Sequence, residues 1–257
     1  MNVRSAVTYP DTSITQTASS TTLHIAEHGQ VRVLTLNRPE RRNALDTALT
    51  SALAAALKAA DSDSTVHAVV LAGNGPAFCA GADLKEFEGE LTNPIAQQQR
   101  DLAMLELLQL FGDLDVTVIA AITGMAAGLG GAIAVSADLS VMGESAQIGY
   151  PEIARGMVPS LVISHLQHRT SRKFAYEMLA SGTSCQADQS LARGLVNHVV
   201  PDSRVLDTAM GLANQLAAHQ RSVLRETKRL FVSVAGLTLD ESLRRAYGQS
   251  SQRPVAS

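Results

Sequence analysis

Between Asp115 and Asp138 the chain runs from Val116 to Ala137 without one charged side chain, and whatever it folds into must bury that run. The stretch is long enough to span a bilayer, and Gly124 and Gly128 stand in it at GxxxG spacing. Its internal pattern points elsewhere. Gly128, Gly130 and Gly131 crowd its middle, Ser and Thr interrupt it, and it opens on VTVIAAI, the β-branched profile of a buried strand. A buried strand, a glycine turn and a helix from about Gly130 to Ala137 are expected, not a membrane span.

The rest of the chain fits a βα core. Leu23–Ala26 and Val31–Leu36 read as strands joined in hairpin fashion through His28-Gly29-Gln30. Asn43 or Asp46 can cap a helix to about Ala60, in which Leu49, Leu53, Ala56 and Leu57 recur at helical spacing. A strand, AVVLAG, comes next. It is followed by a turn and short helix within Asn74–Phe87, a long helix from about Pro94 to Leu110, then VTVIAAI, the glycine turn and a short strand, DLSVMG. After Pro159 the pattern is helix after helix, with LVNHVV as the one strand-like interruption. The expected class is α/β, with a core over residues 22–200 and a helical region over 201–257. Residues 1–21, rich in Ser and Thr and without an apolar secretory run, read as a mobile tail.

At 257 residues the chain has room for one large domain and a full core. Its 18% charged residues fall below the roughly 25% of ordinary soluble domains, which argues against disorder. A net charge of -3 from 21 basic and 24 acidic residues provides no field for nucleic acid or an anionic membrane. Cys79 and Cys185 are too few for a disulfide framework and too far apart for a CxxC or zinc pattern, which fits a reducing cytoplasm. His165 and His168, three apart, have no third metal ligand near in sequence. Ser160 and Ser164 lack a GxSxG elbow.

GLGGAI at Gly128–Ile133 does not complete GxGxxG, because Ile133 stands where the third small residue belongs, and no GxxxxGK occurs. Dinucleotide and nucleoside triphosphate binding are not supported. Two places remain where a small-residue turn opens a helix after a buried strand: AVVLAGNGPAFCAGADLK and VTVIAAITGMAAGLGGAIA. Such turns leave backbone N–H groups free to meet a developing negative charge. Each alone is an ordinary packing turn; two together resemble a pair of oxyanion donors.

Four blocks, LNRPERRNAL, AFCAGADLKEF, ITGMAAGLGGAIAVSAD and GYPEIARGMVP, resemble in content and order the enoyl-CoA hydratase/isomerase family, also called the crotonase superfamily. The resemblance covers about residues 22–235. It implies a crotonase-like spiral of ββα units with a helical C-terminal trimerisation region, as a homotrimer or dimer of trimers. It also implies acyl-CoA thioester substrates, and no cofactor apart from the coenzyme A that the substrate carries. It places the oxyanion N–H donors at Ala82 and Leu129, the second in a turn, Gly128-Leu129-Gly130-Gly131, where the family usually has three glycines. It places coenzyme A binding at Asn43, Ala44, Ala80, Ala82, Asp83, Leu84, Lys85 and Gly128, with Arg42 or Arg41 reaching a phosphate. The basic amphipathic helix Arg221–Phe231 would pack over a neighbouring site, where Lys228 or Arg229 could meet coenzyme A.

The resemblance also fixes the chemistry to be tested. Two N–H groups on the thioester carbonyl make the α-carbon acidic and stabilise an enolate. The family's hydratases then use two glutamates. The later one is Glu152; the earlier one aligns with Ala132, which can neither transfer a proton nor orient a water. One carboxylate suffices to shift a double bond from 3-enoyl-CoA to 2-enoyl-CoA, and that reaction is expected. Hydration of 2-enoyl-CoA and decarboxylation of a malonyl-type thioester are alternatives, as is a quiet acyl-CoA binder without turnover. Met157 and Val158 are expected in an acyl pocket or the core.

Overall fold

The computed structural model describes residues 15–16, 21–89 and 93–250. Its strands are β1 (Thr15–Gln16), β2 (Leu23–His28), β3 (Val31–Leu36), β4 (Ala68–Gly73), β5 (Ala77–Cys79), β6 (Thr117–Ile122), β7 (Met125–Ala127), β8 (Leu139–Gly143), β9 (Gln147–Gly149), β10 (Ser184–Gln186) and β11 (His198–Val200). Its helices are α1 (Thr47–Ser62), α2 (Leu84–Gly89), α3 (Pro94–Asp113), α4 (Leu129–Ser136), α5 (Ser160–Gln167), α6 (Arg172–Ser181), α7 (Ala187–Ala192), α8 (Val205–Ala217), α9 (Arg221–Ser233) and α10 (Leu239–Ser250). Four successive units, β2–β3–α1, β4–β5–α2/α3, β6–β7–α4 and β8–β9–α5, repeat the ββα order. The first strand of a unit usually joins one sheet and the second joins another. One sheet therefore runs β1-β2-β3-β4-β6-β8-β11 and the other β10-β9-β7-β5. Among the described residues no helix is long and apolar enough to cross a membrane.

The uncharged segments are explained by burial on two faces. Along β4, Val69 and Leu71 enter one core with Leu49, Leu53 and Leu107, while Ala68, Val70 and Ala72 enter another against Val205, Ala209, Ala213 and Ala217 of α8. Period-two alternation with both faces covered reads as a continuous apolar run. The stretch from Val116 to Ala137 follows the same rule: β6 lies between β4 and β8, and every residue of α4 is buried.

One open reading is resolved and another is corrected. The helix after the second hairpin strand is capped by Asp46 alone, whose side chain accepts from Leu49 N at 2.8 Å. The segment Asn74–Phe87 is not a turn and one helix: Ala77–Cys79 forms β5, and only Leu84–Gly89 is helical. β7, β9 and β10, three residues each, also lack a sequence signal, because a three-residue strand is too short to show a period. The tail lies outside the described residues except β1, which pairs antiparallel with Ala26 and Glu27.

Candidate active site

The site is made where the second strands end. After β5 the chain turns through Gly81, at φ +93, into Ala82, and after β7 it turns through Gly128, at φ +51, into Leu129 at the start of α4. The two turns touch: a side chain at position 81 would stand 2.7 Å from Ala127 O and 3.4 Å from Leu129 N. Gly130 backs onto Cys79 O so closely that a Cβ there would sit 2.2 Å from it. Glycine is required at 81 by the left-handed φ and at 130 by the contact.

Ala82 makes an isolated parallel bridge to Leu45, in which Leu45 N donates to Gly81 O and Asp83 N to Leu45 O. The bridge uses the groups on either side of Ala82, so the N–H of Ala82 itself faces the other way. Leu129, at the first position of α4, has no intrahelical acceptor. Neither N–H has an acceptor among the described residues. Two unspent donors on adjoining turns, one of them at a helix N-terminus, form an arrangement that can hold an oxyanion.

Glu152 faces the same point from a third element. It follows β9 at the N-cap of a single 3-10 turn, Ile153–Arg155, that Gly156 ends at φ +71. A side chain at position 128 would stand 2.7 Å from Glu152 Oε1, which places this oxygen against the Leu129 turn. The other oxygen, Oε2, is buried without a hydrogen-bond partner. Burial pushes the carboxyl up from its ordinary range, against smaller opposing effects of its own backbone N–H and Arg155. A half-buried carboxylate with a raised pKa beside two N–H donors has the properties of an acid–base group.

These parts open on a cavity of about 480 Å³. Of the residues expected at the site, Ala80, Ala82, Leu84, Gly128, Leu129 and Glu152 line it. Arg42, Asn43, Ala44, Asp83 and Lys85 do not. Asn43 is fully buried and serves as a pin: its amide donates to Asn74 O at 2.9 Å and Ala77 O at 2.7 Å, and its oxygen accepts from Arg38 N at 2.8 Å. Asp83 is buried in an ion pair with Arg38 at 2.9 Å, and the same guanidinium reaches Ala44 O. Arg42 and Lys85 are exposed on that bank, and Arg42 O accepts from Ala80 N at 2.9 Å. Ala132 is fully buried in α4 and outside the cavity lining, so α4 brings no carboxylate to it.

Met157 and Val158 do line the cavity, with Pro159 and with Ser160 to Val162 of α5. Gly81, Pro151 and Arg155 line it too, and Phe87, Arg100, Asp101 and Met104, which were not legible in the sequence, complete it. α3 carries apolar residues on its inner and outer faces alike, so its cavity side has no distinguishing period. Arg100 is buried with its guanidinium 4.6 Å from the centre of the Phe87 ring and 3.0 Å from Asp101. Elsewhere, Cys79 is buried and its thiol pushed up to about 12, which makes it an inert core residue. Half-buried His165 points Nε2 at Leu108 O. Lys228 is engaged by Asp138 and Val116 O, and Arg229 by Asp115, so both cations are paired within the chain.

Residues 26–249 match the family model described as enoyl-CoA hydratase/isomerase. The chain is 36% identical over 209 residues to the 2,3-dehydroadipyl-CoA hydratase of Escherichia coli, covering 80% of each. It is 32% identical over 216 residues to the 1,2-epoxyphenylacetyl-CoA isomerase of the same organism, covering 83% of this chain and 82% of that one. The solved enoyl-CoA hydratase of Mycobacterium smegmatis superposes with a TM-score of 0.84 at 30% identity over 90% of both chains. With the two adjoining turns and the carboxylate in place, the chain belongs to the enoyl-CoA hydratase/isomerase family and is an enzyme of that crotonase class.

Proposed function

We propose that this enzyme moves the double bond of a 3-enoyl-CoA to give the 2-enoyl-CoA, with Glu152 as its one acid–base group. The observation that carries the reading is the single carboxylate against the oxyanion turns, facing an α4 that offers only buried Ala132. The thioester oxygen accepts from Ala82 N–H and Leu129 N–H. Glu152 Oε1 takes a proton from C2, and the C–H electron pair becomes the enolate. The double bond then shifts between C2 and C3 as Glu152 returns the proton to C4. Each oxyanion donor is worth about 3 to 4 kcal/mol where one has been removed in other enzymes. The scheme calls for no metal or redox cofactor.

Hydration of a 2-enoyl-CoA is the second reading. The E. coli relative above is named a hydratase, and Asp101 puts a second carboxylate, 60% exposed, on the cavity wall. On either reading coenzyme A would leave along the bank of Ala80 and Leu84, where Arg42 and Lys85 are free to meet phosphate. Self-association as a trimer or dimer of trimers is part of the proposal. It is supported by α9 and α10, whose Phe231, Leu239, Leu243 and Tyr247 are exposed.

The test is incubation with a 3-enoyl-CoA and separately with a 2-enoyl-CoA, products being read by mass and chromatography, then repetition with Glu152→Ala. Conversion of the 3-enoyl substrate at unchanged mass, lost in the variant, supports isomerisation. Gain of the mass of water by the 2-enoyl substrate replaces it with hydration.

A further inference from the structure

Three buried side-chain polar atoms have no hydrogen-bond partner among the described residues, and two of them are Tyr150 Oη and Glu152 Oε2. They belong to one neighbourhood. A Cβ on Gly131 would lie 3.3 Å from Tyr150 Cε1, and a Cβ on Gly128 would lie 2.7 Å from Glu152 Oε1. Gly128 is the N-cap of α4 and Gly131 its third residue, so both contacts fall at the start of that helix. The phenol ring and the carboxylate therefore both pack against the start of α4, near enough for the charge of Glu152 to act on the phenol, the ring fully buried and the carboxylate half-buried at the cavity.

An orphaned buried polar atom costs roughly 1 to 3 kcal/mol, and a hydroxyl and a carboxyl oxygen orphaned in one neighbourhood call for an explanation. We infer that Tyr150 is a positioning residue: its hydroxyl, which does not reach Glu152 Oε2 directly, donates to it through one buried water and so leaves Oε1 as the oxygen that meets substrate. Burial, and after it the negative charge of Glu152 and then Cys185, raises the phenol far above neutrality, so Tyr150 keeps its proton and acts only as a donor. The other ionisable groups facing the pair are Arg155 beside Glu152, Cys185 on β10, and Arg100 and Asp101 across the cavity on α3. Cys185 is already engaged with Ser190 Oγ at 3.3 Å. Arg100 is taken up by Asp101. Neither offers Oε2 a donor.

Only the kinetic arm of the test rests on the proposed function. Glutamate labelled with carbon-13 at the carboxyl gives the titration of Glu152 directly, assigned by its loss in Glu152→Gln. In Tyr150→Phe the midpoint should rise by about one pH unit, the tenfold change in an equilibrium constant expected when a hydrogen bond to a charged group is removed. Site-specific fluorotyrosine at 150, a stronger donor of nearly the same shape, should lower it. The acid limb of the kcat/KM profile should move with the midpoint in each case while KM stays within about twofold. A midpoint that stays where it is in both variants overturns the inference. A moved midpoint in a protein without turnover on any enoyl-CoA would uphold the inference and overturn the proposed function instead.

Discussion

Asp83 lies behind one bank of the cleft and Glu152 on the other, and the molecule treats the two carboxyl groups in opposite ways. On one bank Asp83 is buried in an ion pair with Arg38, which also reaches Asp46 at 3.2 Å, while Asn43 ties three backbone groups together. Every polar atom named there has a partner. On the other bank Glu152 Oε2 and Tyr150 Oη are buried without one, and Glu152 Oε1 is held against glycine, not against a donor. The braced bank fixes the Ala82 turn; the other leaves Oε2 of the Glu152 carboxyl without a protein hydrogen bond among the described residues. A wall saturated with protein hydrogen bonds holds its backbone, whereas a carboxyl oxygen left without one can take its partner from a water or a ligand.

The comparison fails at once if Glu152 is dispensable. Glu152→Gln should lower kcat by about a thousandfold, in the middle of the range for removing an acid–base group, while acyl-CoA affinity changes by less than about twofold. Steady-state kinetics and calorimetric binding separate the two effects. Next in size, Gly128→Ala adds a Cβ into Glu152 Oε1 and asks alanine to adopt φ +51. A loss of about ten- to a hundredfold in kcat is expected, with a stability cost of about 1 to 2 kcal/mol from the left-handed backbone.

The braced bank should answer in stability instead. Asn43→Ala strands buried partners at Asn74 O, Ala77 O and Arg38 N, and should destabilise the fold by about 2 to 4 kcal/mol in urea denaturation, with any loss of activity following the unfolded fraction. Asn43→Asp, which keeps the acceptor for Arg38 N, should lose less. If Asn43→Ala instead weakens acyl-CoA binding in a protein of unchanged stability, the side chain belongs to the ligand and not to the brace.

How much was legible follows the same division. The long elements showed because two-face burial makes a strand apolar throughout, as in β4 and β6, and one-face burial makes α1 periodic. The second strands of the ββα units did not show, although the site hangs on their ends, because three residues such as Ala77–Cys79 carry no period. Glu152, Ala82 and Leu129 were assigned through the resemblance of their motif blocks to the family. The roles of Asn43 and Asp83 could not be: that an asparagine pins two loops is a fact about residues over thirty positions away. Phe87 and Arg100 were hidden because a cavity-lining face of α3 looks like a core-facing one.

The smallest expected effect separates the banks by the sign of their pH dependence. Burial pushes Glu152 up, so its folded pKa lies above the unfolded one; its favourable contribution is complete below the unfolded value near 4.5 and is lost as pH rises through the folded value. For Asp83, burial is the largest single effect and pushes the same way, but the hydrogen bond and charge of Arg38 and the backbone N–H groups of Lys85 and Glu86 together outweigh it, and the folded pKa is lowered. Its contribution is present above the unfolded value near 3.8 and is lost as pH falls through the folded one. Glu152→Gln should therefore gain on the native protein as pH rises from 4 to 8, by less than about 1 kcal/mol because the group is partly exposed. Asp83→Asn should lose against it over the rise from 2 to 5. Thermal denaturation of the three proteins across that range would show two curves of opposite slope relative to native. Parallel slopes would mean that Glu152 is held by a donor as firmly as Asp83 is, and the difference between the banks would then lie in geometry alone.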